Sequence, residues 1–131
     1  MGEPVTVAQC VDPEEALDNL DRADRLPVSD VVRDLIAWIG LGLTAMAGGV
    51  NETRFVRPWM EGKQPRRPAS LRAAWRAAYI IKTLCGPEAA KAWLIGQKRE
   101  FEFRSPIRVL QENSDEARTA VVRAAVRFAT T

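Results

Sequence analysis

Histidine is absent from this 131-residue chain, and with it much of the usual equipment of catalysis. Without an imidazole the sequence lacks the commonest general base, the commonest metal ligand and every catalytic triad built on histidine. Its two cysteines, Cys10 and Cys85, have no CxxC spacing, so neither a zinc site nor a disulfide framework is indicated. The sequence also has no Gly-rich phosphate loop. We therefore expect a binding protein that needs no cofactor, rather than an enzyme.

Long apolar runs are missing too. The longest largely apolar stretch, residues 28–50, is interrupted by Asp30, Arg33 and Asp34, whereas a membrane span needs roughly 18 apolar residues in succession. A basic start followed by an apolar core, the pattern of a secretory signal, is not found. The composition, 47% hydrophobic and 27% charged, is that of an ordinary globular domain. These features predict a cytoplasmic protein without a membrane partner.

The net charge of +2 hides an uneven distribution along the chain. Residues 1–30 carry eight acids against two arginines, and residues 51–82 carry eight bases against two glutamates. A basic middle of this kind is typical of a protein that meets a polyanion. Alternatively, the two segments face each other or are simply solvated. Charge alone favours neither interpretation.

Helical patterns recur along the chain and predict an all-α fold. Asp12-Pro13 is a helix start, with an N-cap acid before a proline at the first helical position. The apolar residues of 28–39 recur at i, i+3, i+4 and i+7 up to Gly40. The predicted helices are 13–24 (loosely held, because it has little to bury), 28–39, 41–50, 51–59, 71–84, 87–93, 106–110 and 114–128. Residues 98–104 alternate like a short strand, but no partner strand is evident.

Three short helices with a glycine turn, Gly48-Gly49, before the third form a helix-turn-helix pattern in residues 28–67. In that motif the third helix enters the major groove of DNA. Many helical bundles contain such a triplet without binding DNA. The predicted DNA contacts are Asn51, Thr53, Arg54 and Arg57 at base edges, and Lys63, Arg66 and Arg67 at phosphates.

Pro58 complicates this prediction because it falls inside the third helix. An interior proline removes a backbone hydrogen bond and costs about 3 kcal/mol, or it kinks the helix. Either the helix bends at Pro58, or it consists of two pieces, the second beginning at Pro58.

The last helix carries an apolar stripe wider than one core contact requires. The stripe comprises Ala117, Ala120, Val121, Ala124, Ala125 and Phe128, widened by Val122, Val126 and Ala129. Either this helix is buried on two sides within its own domain, or part of it meets another chain. We favour the second interpretation.

The order of features from Val28 onward resembles the Xre/MbcA/ParS-like antitoxins that carry a C-terminal toxin-binding domain. The segments that carry the resemblance are Trp59-Met60-Glu61-Gly62-Lys63, Pro65-Arg66-Arg67, the helix 71–84, Ala92-Trp93-Leu94 and Ser105-Pro106-Ile107-Arg108-Val109-Leu110. Each is short, so the resemblance rests on their order and spacing. Two departures are Pro58, where a polar or basic residue is expected, and Phe101-Glu102-Phe103-Arg104, where a glycine-containing lead-in is usual.

The resemblance implies one half of a type II toxin–antitoxin pair. It divides the chain into an acidic, partly flexible arm (1–27), an Xre-like helix-turn-helix (28–67) and a helical toxin-binding domain (68–131). The partner would be a NAD-consuming RES-domain toxin whose active site the antitoxin covers. The chain would also repress its own operon by binding operator DNA, as a homodimer or hetero-oligomer.

The resemblance also places toxin contacts in the last 27 residues of the chain. They are Ser105, Pro106, Arg108, Arg123, Arg127, Phe128, Thr130 and Thr131. Of these, Phe128, Thr130 and Thr131 would lie nearest the NAD pocket of the toxin.

Two other functions remain open at the level of sequence. The alternative is a stand-alone helix-turn-helix transcriptional regulator, encoded by a phage or mobile element, with no toxin partner. A third hypothesis keeps protein binding alone, the helix-turn-helix serving as a scaffold.

Overall fold

The structure is a computed structural model that describes residues 12–131, and all regular secondary structure in that range is helical. This confirms the all-α prediction. The α-helices are α1 (Pro13–Asp18), α2 (Arg22–Arg25), α3 (Val28–Ala47), α4 (Arg57–Met60), α5 (Pro68–Cys85), α6 (Pro87–Ile95), α7 (Pro106–Leu110) and α8 (Asp115–Thr130). Short 3₁₀ turns lie at Asn19–Asp21, Thr53–Phe55 and Arg99–Phe101.

Two of the helices, α1 and α8, begin at the positions that their capping residues predict. The carboxylate of Asp12 accepts a hydrogen bond from the amide of Glu14 at 3.1 Å, at the start of α1. Ser114 caps α8 by accepting from the amide of Ala117 at 3.1 Å. Such side chains satisfy amides that have no partner within the first turn of a helix.

Gly40 divides α3 into two segments. Its φ of +92° is non-helical, so the axis changes direction between residues 28–39 and 41–47. Glycine adopts this conformation without the steric cost that a Cβ would impose. The predicted boundary at Gly40 is therefore confirmed.

The core is built around α5, which packs against α3, α6 and α8. Trp75 of α5 is 1% exposed, and its indole nitrogen donates a hydrogen bond to Asp34 of α3 at 3.0 Å. Its ring stacks on Tyr79 at 4.9 Å. The buried apolar residues form one cluster that draws on both 28–67 and 68–131. These two segments thus share a core.

The helices before Val28 are packed more firmly than the sequence suggests. Ala16 and Ala23 are fully buried against the core, although the sequence predicts a loosely held helix over 13–24. The guanidinium of Arg72 donates to the carbonyl oxygens of Ala23 and Leu26. Small side chains let these backbones approach α5, which a count of large apolar residues does not detect. Residues 1–11 of the predicted arm lie outside the described residues.

The helix predicted over 51–59 is not continuous. The 3₁₀ turn Thr53–Phe55 precedes the four-residue α4, and Pro58 lies in the first turn of α4. A proline is tolerated there because the first amides of a helix have no intrahelical acceptor. Of the two alternatives for Pro58, the structure matches division into two pieces.

Within residues 12–131, no helix has both the length and the apolar character that crossing a membrane requires.

Candidate functional site

The predicted DNA-binding residues lie on the segment that joins α3 to α5. Asn51, Thr53, Arg54, Arg57, Lys63 and Arg66 are exposed. Val56 and Trp59, at 0% and 5% exposure, anchor the segment to the core. The side chains that sequence predicts at base edges therefore do not follow one helix, since they span the 3₁₀ turn and α4.

The cations of this segment differ in their partners. Arg54 pairs with Glu52 at 2.5 Å and lies over the ring of Phe55, 5.1 Å from its centroid. Arg57, Lys63 and Arg66 make no ion pair with another described residue. The charge available to a polyanion on this segment is therefore mainly that of these last three residues.

Arg67 has contacts within the fold. It donates a hydrogen bond to the carbonyl oxygen of Gln111 at 3.2 Å and is half-buried. Its side chain also covers Gly49, where an added Cβ would lie 2.6 Å from the Cδ of Arg67. Although the sequence groups Arg67 with the phosphate-binding cations, the structure uses it to join the segment to the end of α7.

The residues predicted to bind a toxin fall into separate groups. Ser105 and Pro106 are buried, and the hydroxyl of Ser105 accepts from the amide of Arg108 at 3.4 Å, so both residues help to begin α7. Arg108 is exposed. The hydroxyls of Thr130 and Thr131 each donate at 2.7 Å to a carbonyl oxygen one turn earlier in α8.

Arg127, Phe128 and Thr131 line a cavity of about 290 Å³ together with Trp93 and Lys98. The ring of Phe128 is 46% exposed and lies 6.2 Å from the buried ring of Trp93. The Lys98 ammonium lies 5.5 Å from the same Trp93 ring. Arg123 does not line this cavity. The structure thus brings together only part of the predicted set.

Phe103 is the most exposed large apolar side chain in the described residues, at 60%. Its amide donates to the carbonyl oxygen of Lys98 at 2.8 Å, and Lys98 lines the cavity, although Phe103 itself does not. We call Trp93, Lys98, Phe103, Arg127 and Phe128 the Phe103–Phe128 surface. In the sequence, Phe103 belongs to the segment 101–104 that departs from the family pattern, and it is not among the predicted site residues. The signal in the sequence is an aromatic residue between two charged residues, Glu102 and Arg104.

The turn that carries Phe103 is strained. Glu102 and Phe103 have φ values of +58° and +67°, and the amide of Arg104 donates to the carbonyl of Phe101 at 3.1 Å. Two successive positive φ values are the requirement of a type I′ turn, for which Asn-Gly is preferred. A residue with a Cβ costs roughly 1–2 kcal/mol in this conformation.

The segment 98–104 closes on itself as a narrow loop. Lys98 and Arg104 form an isolated antiparallel bridge, so the alternating pattern noted in the sequence pairs within its own segment. Arg104 also pairs with Glu112, and Arg127 pairs with Glu100. The hydrogen bond that Arg104 donates to Glu112 raises the pKa of Arg104 above its ordinary value. These contacts hold the loop against α8 and the end of α7.

No group of acids or cysteines within residues 12–131 is arranged to hold a metal ion. Comparisons with models of protein families, with curated proteins and with solved structures found no match to this chain.

Proposed function

We propose that this chain binds a protein partner through the Phe103–Phe128 surface, and that it acts as the antitoxin of a type II pair. The partner would be a NAD-consuming RES-type toxin. The observation that carries the proposal is the exposure of Phe103, at 60%, on a turn with two left-handed residues. The family resemblance supplies the class of partner.

The exposure of two phenylalanines, Phe128 lining the cavity and Phe103 on the loop that contributes Lys98 to it, supports protein binding. Aromatic side chains are enriched at the centres of protein interfaces, where they fill pockets of the partner. The side chains of Phe103 and Phe128 are 60% and 46% exposed to solvent. Lys98, Glu100 and Arg127 surround the cavity with charge, as at the polar rim of an interface.

The strained turn supports the same proposal. Residues in sparsely populated backbone regions concentrate at binding and active sites, where function maintains a conformation that stability alone would not select. The fold does not require a phenylalanine at position 103, the second of the two central residues of this turn, because the Phe103 side chain is mostly in solvent. Its contribution would come from a partner.

The end of α8 offers a means of inhibition. Phe128, Thr130 and Thr131 are exposed at the end of the chain; Phe128 belongs to the Phe103–Phe128 surface, and Thr131 lines the same cavity. In the proposed complex this end covers the NAD pocket, while Phe103 contributes to affinity. Removal of residues 128–131 should therefore relieve inhibition more than it weakens the complex.

Complex formation tests the proposal directly. The full chain would be co-expressed with the product of the adjacent gene, and the complex measured by size-exclusion chromatography and calorimetry. Phe103→Ser should weaken binding by about 1–3 kcal/mol, within the range of interface hot spots. Leu41→Ser, at an exposed apolar residue (37%) of α3, is the matched control and should leave binding unchanged. Equal effects of the two variants would contradict the proposal.

DNA binding is the second proposed activity, supported by the exposed cations of residues 51–66. In this proposal the chain represses its own operon, or acts as a stand-alone regulator if no toxin exists.

Arg57→Ala should weaken binding to the upstream DNA by about 1–3 kcal/mol if Arg57 contacts a base, and the affinity for DNA should fall steeply as the salt concentration rises. Arg67→Ala should mainly lower the stability of the protein. Lack of any DNA binding at low salt would leave protein binding as the sole activity.

A further inference from the structure

A second cavity, of about 430 Å³, lies between α2, α5 and α8 and shares no lining residue with the one beside Phe128. Its charged lining comprises Arg72, Arg76, Arg118, Arg123, Asp24 and Asp115. Among the described residues, four guanidinium groups against two carboxylates leave an excess of two positive charges. We call this cavity the arginine groove.

Both carboxylates of the groove are already paired. Arg76 lies 2.6 Å from Asp24, and Arg118 lies 2.6 Å from Asp115. Arg72 donates to neutral carbonyl groups, and Arg123 forms no ion pair with any described residue. The positive charges of these last two arginines are therefore not compensated within the described part of the groove.

Gathering four arginines at one place opposes folding. Arg72 and Arg76 are four residues apart on α5, a spacing at which like charges destabilise a helix. Neighbouring cations also repel one another more strongly where protein limits their solvation. Arg76 and Arg118, at 22% and 17% exposure, are paired with the carboxylates, so the repulsion falls mainly on Arg72 and Arg123. A bound anion would remove this repulsion.

The groove has the chemistry that recognises a phosphate ester. A guanidinium group donates two parallel hydrogen bonds that match the geometry of a phosphate. A phosphate monoester carries a charge of about −1.5 to −2 at neutral pH, which matches the excess in the groove. Ala69, Ala73 and Val122 provide an apolar lining, and Thr119 provides a hydroxyl. The cavity thus has room and surface for an organic group beside the anion.

We propose that the arginine groove binds a small phosphate monoester, with Arg72 and Arg123 neutralising its charge. This inference does not rest on the proposed antitoxin activity, because the groove shares no residue with the Phe103–Phe128 surface; of the predicted toxin contacts, Arg123 alone lines the groove.

Calorimetric titration of the full chain tests the proposal with two monoesters, adenosine monophosphate and glycerol phosphate. Each should bind, whereas adenosine and glycerol should not. Arg123→Gln should weaken binding roughly tenfold or more, because it removes the charge-assisted hydrogen bond that the guanidinium would donate to the phosphate. Thr119→Glu should abolish binding, because it places a carboxylate in the groove.

Lys91→Gln serves as the control, since it removes an exposed positive charge on α6 away from the groove. It should leave the affinity unchanged, and circular dichroism should show that all three variants are folded. The proposal is overturned if neither monoester binds at millimolar concentration, or if Thr119→Glu binds like the wild type. It is also overturned if Arg123→Gln and Lys91→Gln weaken binding equally, or if adenosine binds as tightly as its monophosphate.

Discussion

Gly48 and Gly42 both lie near the second segment of α3, but their surroundings are opposite. A Cβ at Gly48 would lie 2.4 Å from the buried ring of Trp59, whereas nothing lies within 4 Å of a Cβ at Gly42. The close approach of α3 to Trp59 therefore depends on the absence of a side chain at Gly48. A sequence shows both glycines but not this contact.

Gly48→Ala should lower the free energy of unfolding by about 1–3 kcal/mol, the usual cost of overpacking a core. Gly42→Ala, the matched substitution, should raise it by about 0.5–1 kcal/mol, because alanine loses less backbone entropy in a helix. Urea denaturation of the two variants measures both changes. Equal changes of the same sign would show that Trp59 does not pack on Gly48 as described.

The turn at Glu102 and Phe103 allows a second test at the scale of residues. Replacing the pair by Asn-Gly should stabilise the fold by about 1–2 kcal/mol, because these residues accept positive φ more readily. Phe103 loses little burial in the exchange, since its side chain is 60% exposed. The same variant should bind the partner protein less well. A loss of stability on denaturation, or unchanged partner binding, would contradict this account of the turn.

At the scale of elements, the docking of α2 onto α5 depends on Arg72. Arg72→Gln should lower the free energy of unfolding by about 1.5–3 kcal/mol, because the guanidinium bonds two carbonyl oxygens at the end of α2. Asp24→Asn, which removes the ion pair to Arg76, should cost less than about 1 kcal/mol, because Asp24 is 66% exposed and water screens the pair. Guanidinium denaturation would compare them. A larger cost for Asp24→Asn would mean that the ion pair holds α2.

Some features of the helices and turns can be predicted from the sequence, and others cannot. The break at Gly40, the start at Asp12 and the division at Pro58 follow from local backbone chemistry, which a sequence records directly. The packing of Ala16 and Ala23 and the hydrogen bond from Arg67 to Gln111 depend on residues far apart in the chain. Periodicity detects large apolar faces. It does not detect small residues that permit close approach.

In the whole molecule, segments that are separate in the sequence pack together into one core. The family resemblance divides the chain at residues 27 and 67, and the buried residues of the described chain form one cluster around α5 that includes residues on both sides of each boundary. The predicted binding residues likewise divide, because Arg127 and Phe128 line one cavity and Arg123 lines another. Neighbouring positions on one helix can face different cavities, so sequence proximity alone did not define the site.

We propose that the Phe103–Phe128 surface neutralises a toxin that consumes NAD. The most direct test of this claim is the NAD content of cells that express the adjacent gene together with this chain. We expect NAD to be retained with the wild type and with Leu41→Ser, and to fall with the double variant Phe103→Ser, Phe128→Ser at equal expression. Loss of NAD in every case, or its retention with the double variant when the toxin alone depletes it, would contradict the claim.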